Sequence, residues 1–140
     1  MARRVKKADQ LSWSLKNATN QLYVTSLGGH MSPVIFDREA QKSIEPYFIN
    51  PWHGEGLELE EPVLVPLRGD FFCLPFGENN AVEGEFHNVH GETAGEEWTF
   101  VDLTEVEGVS TLELAIEIQE RPGKVTKKLA FVEGQTAVYQ

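Results

Sequence analysis

The stretch that decides the fold runs from position 112 to position 119 and reads Leu-Glu-Leu-Ala-Ile-Glu-Ile-Gln. Large apolar residues occupy every second position of it. A period of two is typical of a β-strand with one buried face, because successive side chains point to opposite sides. This stretch therefore predicts a strand that buries Leu112, Leu114, Ile116 and Ile118.

A hairpin is predicted directly after that strand. Arg121-Pro122-Gly123-Lys124 carries Pro and then Gly at its two central positions, which favours a type II turn. The segment 125–132 then returns as the partner strand. We expect Lys127 and Lys128 to face Glu113 and Glu117 across the pair.

The rest of the chain contains further short β-like segments and turns. Leu11, Trp13 and Leu15 alternate with polar residues, and an apolar run covers 71–76 without alternation, as in a strand covered on both faces. We find no amphipathic helix and no repeat. The pattern predicts an all-β fold, an antiparallel β-sandwich. Its remaining predicted strands cover 22–27, 34–36, 63–65, 98–103 and 136–139, with a turn at 78–80.

The 140 residues are the length of one domain. Arg3, Arg4, Lys6 and Lys7 indicate a basic, flexible tail over residues 1–10. The chain stops inside a strand pattern, at Val138-Tyr139-Gln140. An unpaired apolar strand tends to recruit another edge. We therefore expect either the N-terminal half of a longer β-protein or a homo-oligomer formed through an exposed edge strand.

The charge and composition of the chain limit which kinds of partner can be expected. There are 12 Lys and Arg residues against 22 Asp and Glu, a formal net charge of -10, which repels a phosphate backbone and excludes nucleic acid as the expected partner. No apolar run approaches the ~20 residues of a membrane span, so no membrane partner is expected. The single cysteine fits a reducing compartment, and we predict a cytoplasmic location.

The residues whose side chains could bind a metal, react or bind a ligand fall mainly between positions 67 and 98. His87, His90 and Glu92 are metal-ligand types, but on a strand positions 87 and 90 point to opposite faces, so no metal is predicted. Cys73 stands among apolar residues and is expected to be an inert buried thiol. Arg68 has two open interpretations: a surface ion pair with Asp70, or a fork of donors offered to an oxygen-rich ligand.

A long loop is predicted from Gln41 to Pro62, a segment that contains several prolines and glycines. Long loops in compact domains are often functional. The residues Pro51-Trp52-His53-Gly54-Glu55 either line a pocket, or Trp52 covers the edge of the core.

Two blocks resemble a known family. Leu-Arg-Gly-Asp-Phe-Phe-Cys-Leu-Pro-Phe-Gly at 67–77 resembles the Arg-Gly-Gly … Cys-x-Pro-x-Phe-Gly block of aldose 1-epimerases and glucose-6-phosphate 1-epimerases. His-Gly-Glu-Thr-Ala-Gly-Glu-Glu-Trp at 90–98 is similar to the His-Gly-Phe-Ala-Arg … Trp block that follows it. The first block is one or two residues shorter here, and Ala94 stands where the phosphosugar branch has arginine. The resemblance implies the N-terminal portion of a galactose mutarotase-like supersandwich.

The same resemblance implies a sugar (aldose) ligand bound without metal or other cofactor. Arg68 and His90 match the family's substrate-binding residues, and we add Trp52, His87 and Glu92 as candidates. The family's catalytic histidine and glutamate lie in the second half of its fold. We therefore expect an aldose 1-epimerase-like isomerase of carbohydrate metabolism in the full-length form, opening the sugar ring by acid–base catalysis, with this chain alone inactive.

Two alternatives without catalysis remain open. One is a carbohydrate-binding domain that uses the aromatic residues Trp52, Phe76 and Trp98 together with Arg68. The other is a structural β-sandwich domain.

Overall fold

A computed structural model describes residues 4–77, 80–81 and 83–140. Arg3 and most of the turn predicted at 78–80 lie outside the described residues. Two antiparallel sheets form the chain, which confirms the all-β class. The first has the order β1 (Val5–Lys7), β2 (Gln10–Lys16), β3 (Gln21–Thr25), β4 (Met31–Ile35). The second has the order β5 (Thr99–Val106), β6 (Val109–Ile118), β7 (Gly123–Val132).

The two sheets share one apolar core. Period-two alternation turns one face of each strand inward, so that Leu15 of β2, Leu22 of β3 and Leu112 of β6 are all buried. Trp98, just before β5, is buried in the same cluster. The predicted inward face of β6 is confirmed, since its members are all buried: Leu112, Leu114, Ile116 and Ile118.

The β6–β7 hairpin differs from the prediction in one register detail. Lys128 does face Glu113, and their side chains form an ion pair of 3.1 Å. Lys127 instead faces Leu114 and is buried, because adjacent residues of one strand cannot share a face. The type II turn is also wrong: Gly123 already pairs with Ile118, so the turn is made by residues 119–122.

The expected flexible tail is a hairpin over most of its length. Val5, Lys6 and Lys7 pair with residues 10–12 of β2. Ala8 and Asp9 between them have φ values of 45° and 64°, the left-handed conformation of a two-residue hairpin turn. No Asn-Gly or Asp-Gly pair announces this turn in the sequence, which is why residues 5–10 were misassigned.

The segment between the sheets is mostly irregular. The strand predicted at 63–65 is wrong, since a short 3-10 helix covers Pro62–Leu64. The strand predicted at 71–76 is wrong too, because only an isolated bridge from Leu74 to Gly91 forms there. Gly91 opens a helix that was not predicted, α1 (Gly91–Gly95). A Cβ at Gly91 would lie 2.2 Å from the Pro75 carbonyl oxygen, so only glycine allows this contact.

The C-terminal segment lies along β7. Tyr139 pairs with Ala130, and the Asn20 side chain donates a hydrogen bond to the Gln135 carbonyl at 2.7 Å. The strand predicted at 136–139 is thus reduced to a single bridge between Tyr139 and Ala130. The helices of the described residues have three and five residues, and neither is long and apolar enough to cross a membrane.

Candidate functional site

An open cleft forms where the long loop meets the β1–β2 turn. We call it the Trp52 cleft; its volume is about 280 Å³. The indole of Trp52 forms one wall, as one of the two interpretations of the loop predicted. The full lining consists of Lys6, Asp9, Gln10, Trp52, His53, Gly54, Gly56, Leu57, Leu59 and Val65.

Charged and polar groups converge on one side of the Trp52 cleft. The Asp9 carboxylate lies 2.9 Å from the Lys6 Nζ and 3.2 Å from the His53 Nδ1. These contacts, the Lys6 hydrogen bond first, lower the pKa of Asp9. Gly54 permits the approach, because a Cβ there would lie 2.5 Å from the Asp9 Oδ2. A carboxylate that is ionised at neutral pH is thereby held beside an aromatic wall, and Gln10 lines the same cleft.

The indole of Trp52 is fixed in place. Its Nε1 donates to the Leu64 carbonyl at 3.2 Å, and the ring is only half-buried. Fixing a flat apolar surface next to a few polar groups is the usual construction of a small-molecule site.

Arg68 lies beneath this cleft and is 2% exposed. Its guanidinium donates from Nε to the Pro66 carbonyl at 2.9 Å, and from its two terminal nitrogens to the carbonyls of Lys7 and Ala8 at 3.2 and 3.0 Å. Burial lowers its pKa. The guanidinium therefore holds the β1–β2 turn in position, which differs from both roles expected for it. Arg68 and Trp52 do come together, since both line a neighbouring cavity of about 250 Å³.

His90 belongs to a separate layer of rings. It precedes α1, and its ring packs edge-on against Phe71 with centroids 5.5 Å apart. Its Nδ1 lies 3.6 Å from the Cys73 Sγ, and burial raises the pKa of that thiol. Cys73 is thus half-buried, with a thiol that stays protonated at neutral pH, in line with an unreactive role.

His30, a residue that the sequence did not single out, connects this layer to Arg68. Its ring stacks on Phe71 with centroids 4.5 Å apart, and its Nδ1 accepts a hydrogen bond from the Arg68 backbone N–H at 3.3 Å. Nε2 must then carry the proton, and it donates to the Ala94 carbonyl at 2.9 Å. Burial, with the nearby cations, lowers the pKa of His30 to about 4. The imidazole is neutral and structural.

His87 and Glu92 are used elsewhere in the fold. The Glu92 carboxylate accepts hydrogen bonds from the backbone N–H groups of Gln119 and Glu120, at 2.9–3.0 Å, and so caps the β6–β7 turn. His87 contacts Glu85, which also binds Arg121 at 2.7 Å. In the described part of the chain, no three His, Cys, Asp or Glu side chains are placed to hold a metal ion.

Lys127 is the residue that sequence reasoning missed. It is 6% exposed, its Nζ donates to the Gly29 carbonyl at 2.8 Å, and the same atom lies 5.1 Å from the centroid of the Trp98 ring. Burial lowers its pKa to about 8, opposed by Asp70 and Cys73. The signal was available: Lys127 shares a period-two face with Val125, Leu129 and Phe131.

A second cavity adjoins Lys127, and we call it the Lys127 pocket. Its volume is about 340 Å³. Apolar side chains dominate its walls, and the complete lining is Phe72, Trp98, Val125, Thr126, Lys127, Lys128 and Gln140. It is more apolar than the Trp52 cleft.

Comparison with known proteins adds no relative: no protein-family model, no curated protein and no solved structure matches this chain.

Proposed function

We propose that this chain is a carbohydrate-binding domain and that the Trp52 cleft is its binding site. The observation that carries the proposal is the fixed, half-exposed indole beside the Asp9 carboxylate and the Gln10 amide. A sugar ring has apolar C–H faces and a rim of hydroxyl groups. The indole would pack against such a face, while the carboxylate and amide would bind hydroxyls.

The size of the Trp52 cleft favours a monosaccharide or one end of a glycan. Its volume of about 280 Å³ lies just below the usual ~300–1,000 Å³ of small-molecule pockets. The cleft is also partly open to solvent, as expected for a site that binds one unit of a longer chain. Lys6 beside Asp9 leaves the local charge balanced, so a neutral sugar fits better than a strongly charged one.

Epimerase activity of a longer form remains a prediction that rests on the two sequence blocks. The same holds for a galactose mutarotase-like sandwich and for a cytoplasmic location. Arg68 gives no support to the activity, because all three of its guanidinium nitrogens donate to backbone carbonyls. Polarimetry of freshly dissolved α-glucose tests the expectation that this chain alone is inactive: faster mutarotation with the chain present would contradict it.

Saturation-transfer NMR against a panel of neutral and phosphorylated aldoses tests the binding proposal. We expect transfer to at least one neutral sugar, reduced at least about fivefold by Trp52→Ala and by Asp9→Asn, as the loss of ~1 kcal/mol or more implies. Arg121→Ala is the matched control, because Arg121 is exposed and lies outside the cleft lining. Transfer that survives Trp52→Ala unchanged would place the site elsewhere and refute the proposal.

A further inference from the structure

Lys127 combines three properties that surface lysines lack. Its amine is buried, is held by one backbone carbonyl, and stands against an indole at the wall of an apolar cavity. A lysine that only solubilises the surface needs none of these, and its neighbour Lys128 shows the ordinary arrangement, an exposed ion pair with Glu113. Burying a charged amine costs free energy unless the amine is paired and hydrogen-bonded.

We propose that the Lys127 pocket is a binding site for a small aromatic or branched aliphatic aldehyde, which the Lys127 amine captures as an imine. Phe72, Trp98 and Val125 supply apolar walls for the body of the ligand. The Lys127 amine supplies a polar group at the wall that would fix the orientation of the carbonyl.

The step balances without any further reactant. The Lys127 nitrogen lone pair attacks the carbonyl carbon, the C=O π bond breaks, and one N–H proton moves to the resulting alkoxide to give a carbinolamine. Loss of that hydroxyl together with the remaining N–H proton forms the C=N bond and releases one water. Nothing is oxidised or reduced.

The surroundings favour the form of the amine that attacks. At pH 7 a lysine with a pKa of about 8 is neutral in about one molecule in ten, whereas an ordinary lysine with a pKa of ~10.4 is neutral in only roughly 4 in 10,000. The Gly29 carbonyl accepts one N–H and so holds the nitrogen in one position. Desolvated amines of this kind are the usual nucleophiles for carbonyl compounds.

Benzaldehyde is a suitable probe, used below one equivalent at pH 7 with cyanoborohydride to trap imines as stable benzyl-lysine. Digestion and mass spectrometry then give the occupancy of every lysine. We expect Lys127 to carry at least about tenfold more label than Lys124, an exposed lysine outside the pocket lining, because the Lys127 amine is desolvated and held in one position. Labelling that follows solvent exposure, with Lys127 among the least modified, would overturn the proposal.

A competition experiment separates the pocket from mere reactivity and needs no variant. Benzyl alcohol has the same ring but no carbonyl, and an excess of it should lower labelling of Lys127 while leaving Lys124 unchanged. Equal loss at both lysines, or none at Lys127, would contradict a binding pocket. Lys127→Met and Lys124→Met then serve as a matched pair, because Lys124 is exposed and lies outside the pocket lining. Only the first should abolish the preferential label, and a folded Lys127→Met chain that keeps it would refute the assignment.

Discussion

The Trp52 cleft and the Lys127 pocket are alike in size and opposite in chemistry. Each has an indole wall and a buried cation close by, Arg68 in one case and Lys127 in the other. Among the described residues, three backbone carbonyls accept from Arg68 and one accepts from Lys127. A buried cation with an acceptor for each of its nitrogens is held in place and has a structural role. A buried amine with one acceptor keeps N–H groups and a nitrogen that can react. Arg68 shapes a site for another side chain to use, whereas Lys127 is itself the reactive group.

The largest expected effect separates the two indoles. Trp98 is 2% exposed and packs in the common core, so Trp98→Ala should lower the free energy of unfolding by ~3–5 kcal/mol. Trp52→Ala removes a half-buried ring at the surface and should cost no more than ~1–2 kcal/mol. Urea denaturation of both variants gives the comparison. Equal losses would mean that Trp52 is a core residue and would contradict its role as the wall of a binding cleft.

His30 lies between the two regions and predicts a pH dependence. Its pKa is about 4 in the folded chain against the usual 6.5, so between these values the unfolded chain binds the proton more strongly. The contribution of His30 to the free energy of unfolding is therefore complete above pH 6.5. It is lost as the pH falls towards 4, by up to ~3 kcal/mol. The measurement is the difference between wild type and His30→Gln in denaturation at pH 7 and pH 4. Parallel pH curves would show that the fold does not lower the pKa of His30.

Arg68 tests the structural side of the comparison. Arg68→Met leaves three carbonyls without their donor and should cost ~2–3 kcal/mol, since one charged hydrogen bond alone contributes ~1.5–3 kcal/mol and the gap relaxes in part. The exposed Arg121→Met should change stability by less than ~0.5 kcal/mol. Should Arg68→Met abolish sugar binding with no loss of stability, Arg68 would be a ligand contact, as the epimerase resemblance implies.

The smallest effect concerns the ordinary lysine beside the unusual one. Lys128→Ala breaks an exposed pair with Glu113 and should cost at most ~0.5 kcal/mol, less in high salt. Thermal unfolding in low and high salt measures it. A cost above ~2 kcal/mol would show that exposure is a poor guide to which of the two lysines matters.

The sheets could be predicted from the sequence because period-two patterns are local. Leu112 to Ile118 and Leu11 to Leu15 each carry their own alternation, and both became strands. The same rule, applied strictly, would also have placed Lys127 on the inward face with Leu129. Lys127 was expected to face a glutamate because it is charged, although its position in the alternation predicts a buried side chain.

The connecting segment could not be predicted because its contacts are long-range. Gly91 meets Leu74, and the Arg68 donors reach Lys7 and Ala8 some 60 positions away. Glu92 likewise accepts from Gln119 and Glu120 across the fold. The motif that resembled a sugar site therefore supplied residues for turns and caps, while the cleft formed around Trp52 and Asp9, which lie far apart in the sequence.

One spectrum tests the central claim, that the Trp52 cleft binds sugars and the Lys127 pocket does not. The chain has three tryptophans, so its indole N–H resonances report separately on the cleft (Trp52), the pocket (Trp98) and the core (Trp13). On titration with the aldose panel, the Trp52 resonance should shift in a saturable way while the other two stay fixed. A saturable shift of Trp98 alone, or no shift of Trp52 with any sugar, would contradict the account.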